Sequence, residues 1–166
     1  TLAGARLGIV GFGAIGREIA KRGWGFGMDV IAFDPFVDAA TAGVSIVELD
    51  KLLATSRFVV LACPLTPQTF HLINADRLAL VRSDAYLVNV ARGPVVFEAD
   101  LVHALKRGRL AGAALDVFEV EPLPDDSELR MLPNVVLGAH NASNTREGVA
   151  RASDAAVDFL IAELAR

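Results

Sequence analysis

The sequence has 166 residues, of which 53% are hydrophobic and 22% are charged, a composition typical of one globular domain with a substantial core. The net charge of -4 argues against a nucleic-acid-binding surface, and no apolar run approaches the roughly 18 residues that a membrane-spanning helix needs. The single cysteine, Cys63, excludes an internal disulfide and favours a reducing compartment such as the cytoplasm. No metal site is predicted.

Near the start of the chain, three spaced glycines lie between a predicted strand and a predicted helix. The apolar run 7–10 is followed by Gly11, Gly13 and Gly16, and apolar residues then recur with helical spacing. The first glycine permits a tight turn, the second lets a pyrophosphate approach the backbone, and the third allows the helix to pack closely on the strand. Glycine-rich turns also occur for structural reasons. The predicted strand before this turn and the predicted helix after it favour dinucleotide binding.

A second predicted strand, 30–33, ends in Asp34. An acidic residue at this place can accept a hydrogen bond from a ribose 2′-OH, and its charge would repel a 2′-phosphate. The sequence therefore predicts a preference for NAD over NADP. The alternative is an ordinary turn residue before Pro35.

Strand and helix signals alternate through the rest of the chain, which predicts an α/β fold with a doubly wound parallel sheet, the Rossmann fold. Further strands are predicted at 57–62, 85–90, 110–115 and 134–137. A capping box at 45–48 predicts a helix that ends near Thr55, and Asn74 can cap a short helix. Two more helices are predicted, one over 98–106 and a final one capped by Asn144 or Ser143, with a broad apolar face.

Ligands of such sheets bind where the strands end, so the residues that follow the strands are candidates for a site: Asp34, Cys63, Arg92, Asp116 and His140. Each has an alternative without chemistry. Cys63 can be an apolar lining residue, Asp116 can cap a turn, and Arg92 and His140 can be a solvated charge and a satisfied histidine. His71 and His103 are interpreted as surface or satisfied core residues.

Three later segments, together with the glycine pattern, carry a resemblance to a known family. They read NVARG at 89–93, ALDVFEVEP at 114–122 and GAHNAS at 138–143. Their order is similar to that in the cofactor domain of the NAD-dependent D-isomer 2-hydroxyacid dehydrogenases, over essentially the whole chain. The resemblance implies an oxidoreductase that transfers a hydride between NAD(H) and a small D-2-hydroxy or 2-keto acid. It also implies that residues 1–166 are the cofactor domain only, that the substrate domain lies outside this chain, and that the fragment alone has little activity.

The resemblance implies three catalytic residues. Arg92 is expected to bind the substrate carboxylate and polarise the keto oxygen, which suits a planar guanidinium. His140 is expected to exchange a proton with the substrate oxygen, and Glu121 is expected to orient His140 and favour its charged form. Glu119 competes for that last role, but the family spacing, with the glutamate immediately before proline, favours Glu121.

The resemblance also implies a path for the cofactor. Ala14 and Ile15 would offer backbone N–H groups to the pyrophosphate. The full set of expected cofactor contacts is Gly11, Gly13, Ala14, Ile15, Gly16, Asp34, Cys63, Pro64, Val90, Ala91, Arg92, Asp116, His140 and Ala142.

Family members usually pair through the cofactor domain, so a homodimer is expected. Phe97 stands where the family usually has an acidic residue at a helix start, so the helix cap is expected to shift to a neighbour.

The alternative function is that of a non-catalytic, NAD-sensing protein of the corepressor type. Such proteins can keep the three residues Arg92, Glu121 and His140.

Overall fold

The computed structural model describes residues 1–37 and 43–165 and contains one sheet of seven parallel strands, in the order β3-β2-β1-β4-β5-β6-β7. The strands are β1 Arg6–Val10, β2 Asp29–Phe33, β3 Ser45–Ile46, β4 Phe58–Leu61, β5 Tyr86–Asn89, β6 Gly112–Leu115 and β7 Val135–Leu137. The helices are α1 Ala14–Gly25, α2 Leu49–Thr55, α3 Ala75–Leu78, α4 Glu98–Lys106 and α5 Arg146–Leu164. The strand order reverses between β1 and β4, so the predicted doubly wound sheet is confirmed.

Two glycines, Gly11 after β1 and Gly16 in the first turn of α1, make close contacts that no side chain would allow. Gly11 has a φ of +92°, and a Cβ on it would lie 2.6 Å from the backbone nitrogen of Cys63. A Cβ on Gly16 would lie 2.2 Å from the carbonyl oxygen of Gly11. The chain can therefore turn sharply after β1 and lay α1 directly against the strand it has just left.

The sheet separates two apolar clusters, because successive strand residues point to opposite faces. On one face, Ile9 and Val60 pack with Phe12 and with Ala20 of α1. On the other face, a larger cluster joins the sheet to α2, α3 and α4, with Leu52 of α2 among its fully buried members. Burial of both faces explains why the strands read as continuous apolar runs.

The capping box predicted at 45–48 is wrong. Ser45–Ile46 instead form β3, which pairs in parallel with Ile31 and Ala32 of β2. Helix α2 begins only at Leu49, and Glu48 precedes it without a side-chain capping bond. The open edge of β2 offers backbone hydrogen bonds that a local capping motif cannot match, so tertiary pairing overrides the local signal.

The caps of α3 and α5 also test the predictions from sequence. Asn74 caps α3 as predicted, since its side chain accepts the N–H of Arg77 at 3.2 Å. Helix α5 is capped by Thr145, whose hydroxyl accepts the N–H of Gly148 at 3.0 Å, so the prediction of Asn144 or Ser143 is wrong. No described residue of α5 is buried, and its predicted apolar face is exposed.

Within the described ranges, none of the helices combines the length and apolar character that crossing a membrane requires.

Candidate active site

Two clefts lie at the carboxyl ends of the central strands. The first, of about 540 Å³, is lined by the glycine turn and by the loops that follow β4 and β5, and it ends at Arg92. The second, of about 400 Å³, lies between Gly11, Asp34 and Phe36. Cys63 and Pro64 line both clefts. A continuous groove therefore runs from Asp34 across the glycine turn to Arg92. The predicted cofactor residues in it are Gly11, Gly13, Ala14, Ile15, Asp34, Cys63, Pro64, Val90, Ala91 and Arg92.

The glycine turn has the features that a pyrophosphate needs. A Cβ on Gly13 would meet no atom of the described chain within 4 Å, so the protein itself does not require a glycine here. Gly13 is also the N-cap of α1, which has no side-chain cap and no acidic residue in its first turn. Open space beside the uncapped N-terminus of a twelve-residue helix fits a bound anion.

Asp34 lines the second cleft and also shapes the backbone around it. One carboxylate oxygen accepts the N–H of Phe12 at 2.8 Å, and the other accepts the N–H of Phe36 at 2.9 Å. The turn role that the sequence left open is therefore present. Each oxygen keeps a second lone pair, so a ribose hydroxyl could still donate to this carboxylate.

Cys63 is 8% exposed where the two clefts meet. Its burial, with a smaller contribution from the charge of Asp34, raises the pKa of the thiol. A neutral, buried thiol is a weak nucleophile, which agrees with its interpretation as a lining residue.

The loop that carries Arg92 is held by Asn89, a buried residue for which the sequence predicts no role. The Asn89 amide donates to the carbonyl oxygen of Arg92 at 3.1 Å and accepts the N–H of Ala91 at 3.0 Å. Its exposed fraction is only 1%. A sequence signal was available, because Asn89 opens the NVARG segment. The Arg92 guanidinium is exposed and donates to the carbonyl oxygen of Ala91 at 2.6 Å.

His140 and Glu121 meet although 19 residues separate them. Nδ1 of His140 lies 2.7 Å from one carboxylate oxygen of Glu121, and the other oxygen accepts the N–H of Phe118 at 2.9 Å. These two hydrogen bonds, with the positive charges of His140 and Arg92, lower the pKa of Glu121. Both residues line a further cleft of about 610 Å³. An ionised carboxylate on Nδ1 leaves Nε2 of the ring for another partner.

Asp116 organises the backbone of the His140 loop. Its carboxylate accepts the N–H groups of Asn141 at 3.3 Å and Ala142 at 3.1 Å, and its carbonyl oxygen accepts the N–H of His140 at 2.7 Å. His140 itself has a φ of +53°, which this framework holds. The turn-capping alternative for Asp116 is therefore present, and neither Asp116 nor Ala142 lines the groove between Asp34 and Arg92.

Glu119, the competing glutamate, has a different partner. One of its carboxylate oxygens lies 2.5 Å from Nε2 of His71, and the other accepts the N–H of Glu98 at 3.1 Å. It therefore caps α4 in place of Phe97, which has no capping side chain. The expected shift of the cap has occurred, but to a residue 21 positions away rather than to a neighbour in the chain. His71 is satisfied by this contact. No group of three or more His, Cys, Asp or Glu side chains in the described part of the chain is placed to hold a metal ion.

Comparisons with known proteins agree with this geometry. The model of the family described as "D-isomer specific 2-hydroxyacid dehydrogenase, NAD binding domain" matches residues 1–142. Glyoxylate reductase of Korarchaeum cryptofilum is 45% identical over 162 residues, which are 96% of this chain and 49% of that relative.

Solved structures give the same result. D-lactate dehydrogenase from Aquifex aeolicus, complexed with NAD and lactic acid, has a TM-score of 0.83 at 33% identity over 96% of this chain and 53% of that one. A D-isomer specific 2-hydroxyacid dehydrogenase from Xanthobacter autotrophicus Py2, in complex with NADPH and MES, has a TM-score of 0.77 at 44% identity over 82% of this chain and 44% of that one. The chain spans about half the length of these relatives. It belongs to the D-isomer specific 2-hydroxyacid dehydrogenase family, as an NAD-binding domain of the Rossmann fold.

Proposed function

We propose that this chain is the cofactor half of an NAD(H)-dependent D-2-hydroxyacid dehydrogenase, with residues 1–166 as the NAD-binding domain and a substrate domain outside them. The 2.7 Å contact between His140 and Glu121 carries the proposal, because it supplies a histidine held for proton transfer. The positive charge of Arg92, which lines the groove, contributes to the lowered pKa of Glu121. The names of the relatives, glyoxylate reductase and D-lactate dehydrogenase, support a small 2-hydroxy or 2-keto acid as substrate. No specific observation favours the corepressor alternative.

The proposed cofactor is NAD, and the groove residues fit it. Backbone N–H groups of Ala14 and Ile15, at the uncapped start of α1, would hold the pyrophosphate beside Gly13. The Asp34 carboxylate would accept from the adenosine ribose and disfavour a 2′-phosphate, which supports NAD over NADP. When bound, the nicotinamide would supply or accept the hydride.

The remaining chemistry belongs to the chain. Arg92 would bind the substrate carboxylate and polarise the keto oxygen, for which its guanidinium must leave the carbonyl oxygen of Ala91. His140 would donate a proton from Nε2 to that oxygen as negative charge develops there. Glu121 would keep the ring oriented through Nδ1 and stabilise its charged form. In the oxidation direction, Nε2 would accept the hydroxyl proton instead.

We also infer a homodimer and a cytoplasmic location. The supporting features are the family relationship for the dimer, and the single buried cysteine for a reducing compartment.

The function is tested by measuring NADH-dependent reduction of glyoxylate and hydroxypyruvate, by absorbance, with the complete polypeptide that contains this domain. Replacing His140 with Gln should lower kcat by about 10²- to 10⁴-fold, the usual contribution of a general acid. The matched control is His103→Gln, on the exposed side of α4, which should retain full activity. Unchanged kcat in the His140 variant would overturn the proposed role, and absence of reduction of any 2-keto acid would overturn the function.

A further inference from the structure

Three loops behind the His140–Glu121 pair meet at Glu119. They are the segment after β4 that contains His71, the start of α4 at Glu98, and the loop after β6 that contains Glu119 and Glu121. Because the strands are parallel, all three loops leave the same edge of the sheet.

Glu119 and Glu98 bind each other's backbone. The Glu119 carboxylate accepts the N–H of Glu98 at 3.1 Å, and the Glu98 carboxylate accepts the N–H of Glu119 in a short hydrogen bond. Burial, followed by the charges of Glu119 and Glu121, raises the pKa of Glu98. Two reciprocal bonds fix both the position and the orientation of residue 119 relative to the start of α4.

His71 supplies a second anchor. Its Nε2 lies 2.5 Å from the free oxygen of the Glu119 carboxylate, and its ring is stacked on Phe70 and tilted against Phe97, with centroid distances of 3.9 and 4.6 Å. The backbone N–H of His71 donates to the carbonyl oxygen of Pro94 at 2.8 Å, at a φ of +49°. The residue is held by two aromatic rings and at its backbone, so it is a rigid partner for Glu119.

The loop that Glu119 fixes is the one that orients Glu121. Phe118 immediately precedes Glu119, and its N–H donates to Glu121 at 2.9 Å. The same stretch of backbone lies against the Arg92 loop, since a Cβ on Gly93 would lie 1.8 Å from the carbonyl oxygen of Phe118. A shift of residue 119 would therefore move the donor that sets the Glu121 carboxylate on His140.

We propose that Glu119 is a positioning residue: held by His71 and Glu98, it fixes the 118–121 loop so that Glu121 keeps His140 with its proton on Nδ1. The proposal rests on the proposed function only for the use of His140 as a proton donor. The side chains of Glu119 and His71 are 24% and 29% exposed and lie outside the two apolar clusters, so replacing them leaves the core of the sheet in place.

The test reads the tautomer of His140 and needs no turnover. The chain has only three histidines, so two-bond ¹H–¹⁵N correlations of a ¹⁵N-labelled protein resolve each ring, and the His71→Phe and His103→Gln variants assign them. At a pH where the ring of His140 is neutral, the wild type should carry its proton on Nδ1. Glu121→Ala should lose this preference and defines the full effect.

Glu119→Ala should show at least about half of the tautomer change seen in Glu121→Ala, because the Phe118 N–H that holds the Glu121 carboxylate moves. Glu119→Gln, which retains an acceptor for α4, should recover most of the wild-type tautomer. Glu128→Ala is the charge-matched control, since Glu128 pairs with exposed Lys106 far along α4, and should leave His140 unchanged. Far-UV circular dichroism establishes that each variant is folded.

A folded Glu119→Ala with the wild-type tautomer would overturn the proposal. Should that variant not fold, His71→Phe decides the question, because phenylalanine keeps the ring stack but removes the Nε2 contact. In that variant the tautomer should shift partway, and no shift would count against the proposal. If the complete enzyme is inactive, the tautomer result for His140 still stands. If the enzyme is active but the tautomer is unchanged in Glu119→Ala, only the positioning role of Glu119 is contradicted.

Discussion

One carboxylate oxygen of Glu121 lies 2.7 Å from Nδ1 of His140, and the other oxygen is held by the Phe118 N–H at 2.9 Å. Both oxygens are thus fixed, and the ring is oriented from one side only. The nearby Asp116 carboxylate holds the backbone of the His140 loop rather than the ring. The imidazole therefore has one defined partner and one nitrogen available for chemistry.

Glu121→Gln should lower kcat for 2-keto acid reduction by about 10²-fold, because the ring loses the charge that stabilises its protonated form and one acceptor oxygen remains for two donors, Nδ1–H of His140 and the Phe118 N–H. The affinity for NADH should change little, since Glu121 does not line the groove between Asp34 and Arg92. Steady-state kinetics and a fluorescence titration with NADH measure the two quantities. A variant with normal kcat would contradict the role of Glu121.

The pH dependence of stability follows from Glu121 and Glu98, whose pKa values are shifted in opposite directions. The pKa of Glu121 is lowered from 4.5, so its contribution to stability is present above that value and is lost as the pH falls through its folded pKa. Glu121→Gln should therefore flatten the fall in Tm below about pH 4.5. The pKa of Glu98 is raised, so its contribution is present below 4.5 and is lost as the pH rises through its folded pKa.

The matched variant for that measurement is Glu98→Gln, which should remove a loss of stability on the neutral side of 4.5 rather than on the acid side. Thermal melts of both variants and the wild type between about pH 3 and pH 7 check the two signs. Equal pH profiles for the two variants would show that the surroundings of these carboxylates do not differ as described.

Gly13→Ala should separate binding from folding. A Cβ here meets no atom of the described chain within 4 Å, and the φ of −74° suits alanine, so the free energy of unfolding should change by less than about 1 kcal/mol. The methyl group should nevertheless block the approach of a pyrophosphate and weaken NADH binding by about tenfold or more. Urea unfolding and NADH titration measure the two effects.

Two other glycines are controls for that prediction. Gly25→Ala, near the end of α1 and also in open space, should leave both stability and NADH binding close to the wild type. Gly93→Ala should cost more than about 4 kcal/mol, because its Cβ would overlap the Phe118 carbonyl group. Normal NADH binding by Gly13→Ala would mean that the cofactor does not approach this turn.

Replacing Asp34 should change the choice of cofactor. Asp34→Asn removes the charge and keeps an acceptor oxygen for only one of the Phe12 and Phe36 N–H groups, so the fold should survive with a loss of about 1–3 kcal/mol. The preference for NADH over NADPH should narrow by about tenfold as the repulsion of the 2′-phosphate disappears. Calorimetry with both cofactors measures the ratio, and an unchanged ratio would exclude Asp34 as its determinant.

The sequence alone determined the glycine turn and the order of the helices and of every strand except β3, while most groove residues were expected from the family resemblance. Apolar runs that alternate with helical periods admit few folds, and Gly11 and Gly16 have steric requirements that their spacing in the sequence reflects. Asn74 was predictable as a cap because its partner lies three residues away. Such features depend on interactions between residues close in the chain.

The tertiary structure decided what depends on distant partners. Ser45–Ile46 became a strand because the edge of β2 was open, and α4 took its cap from Glu119 rather than from a neighbour. The choice of Glu121 over Glu119 beside His140 was expected from resemblance, but the reason is spatial, since Glu119 is bound by His71 and Glu98. Hydrogen bonds between loops 20 or more residues apart have no local signal, so only the folded sheet, which brings the strand ends to one edge, could show them.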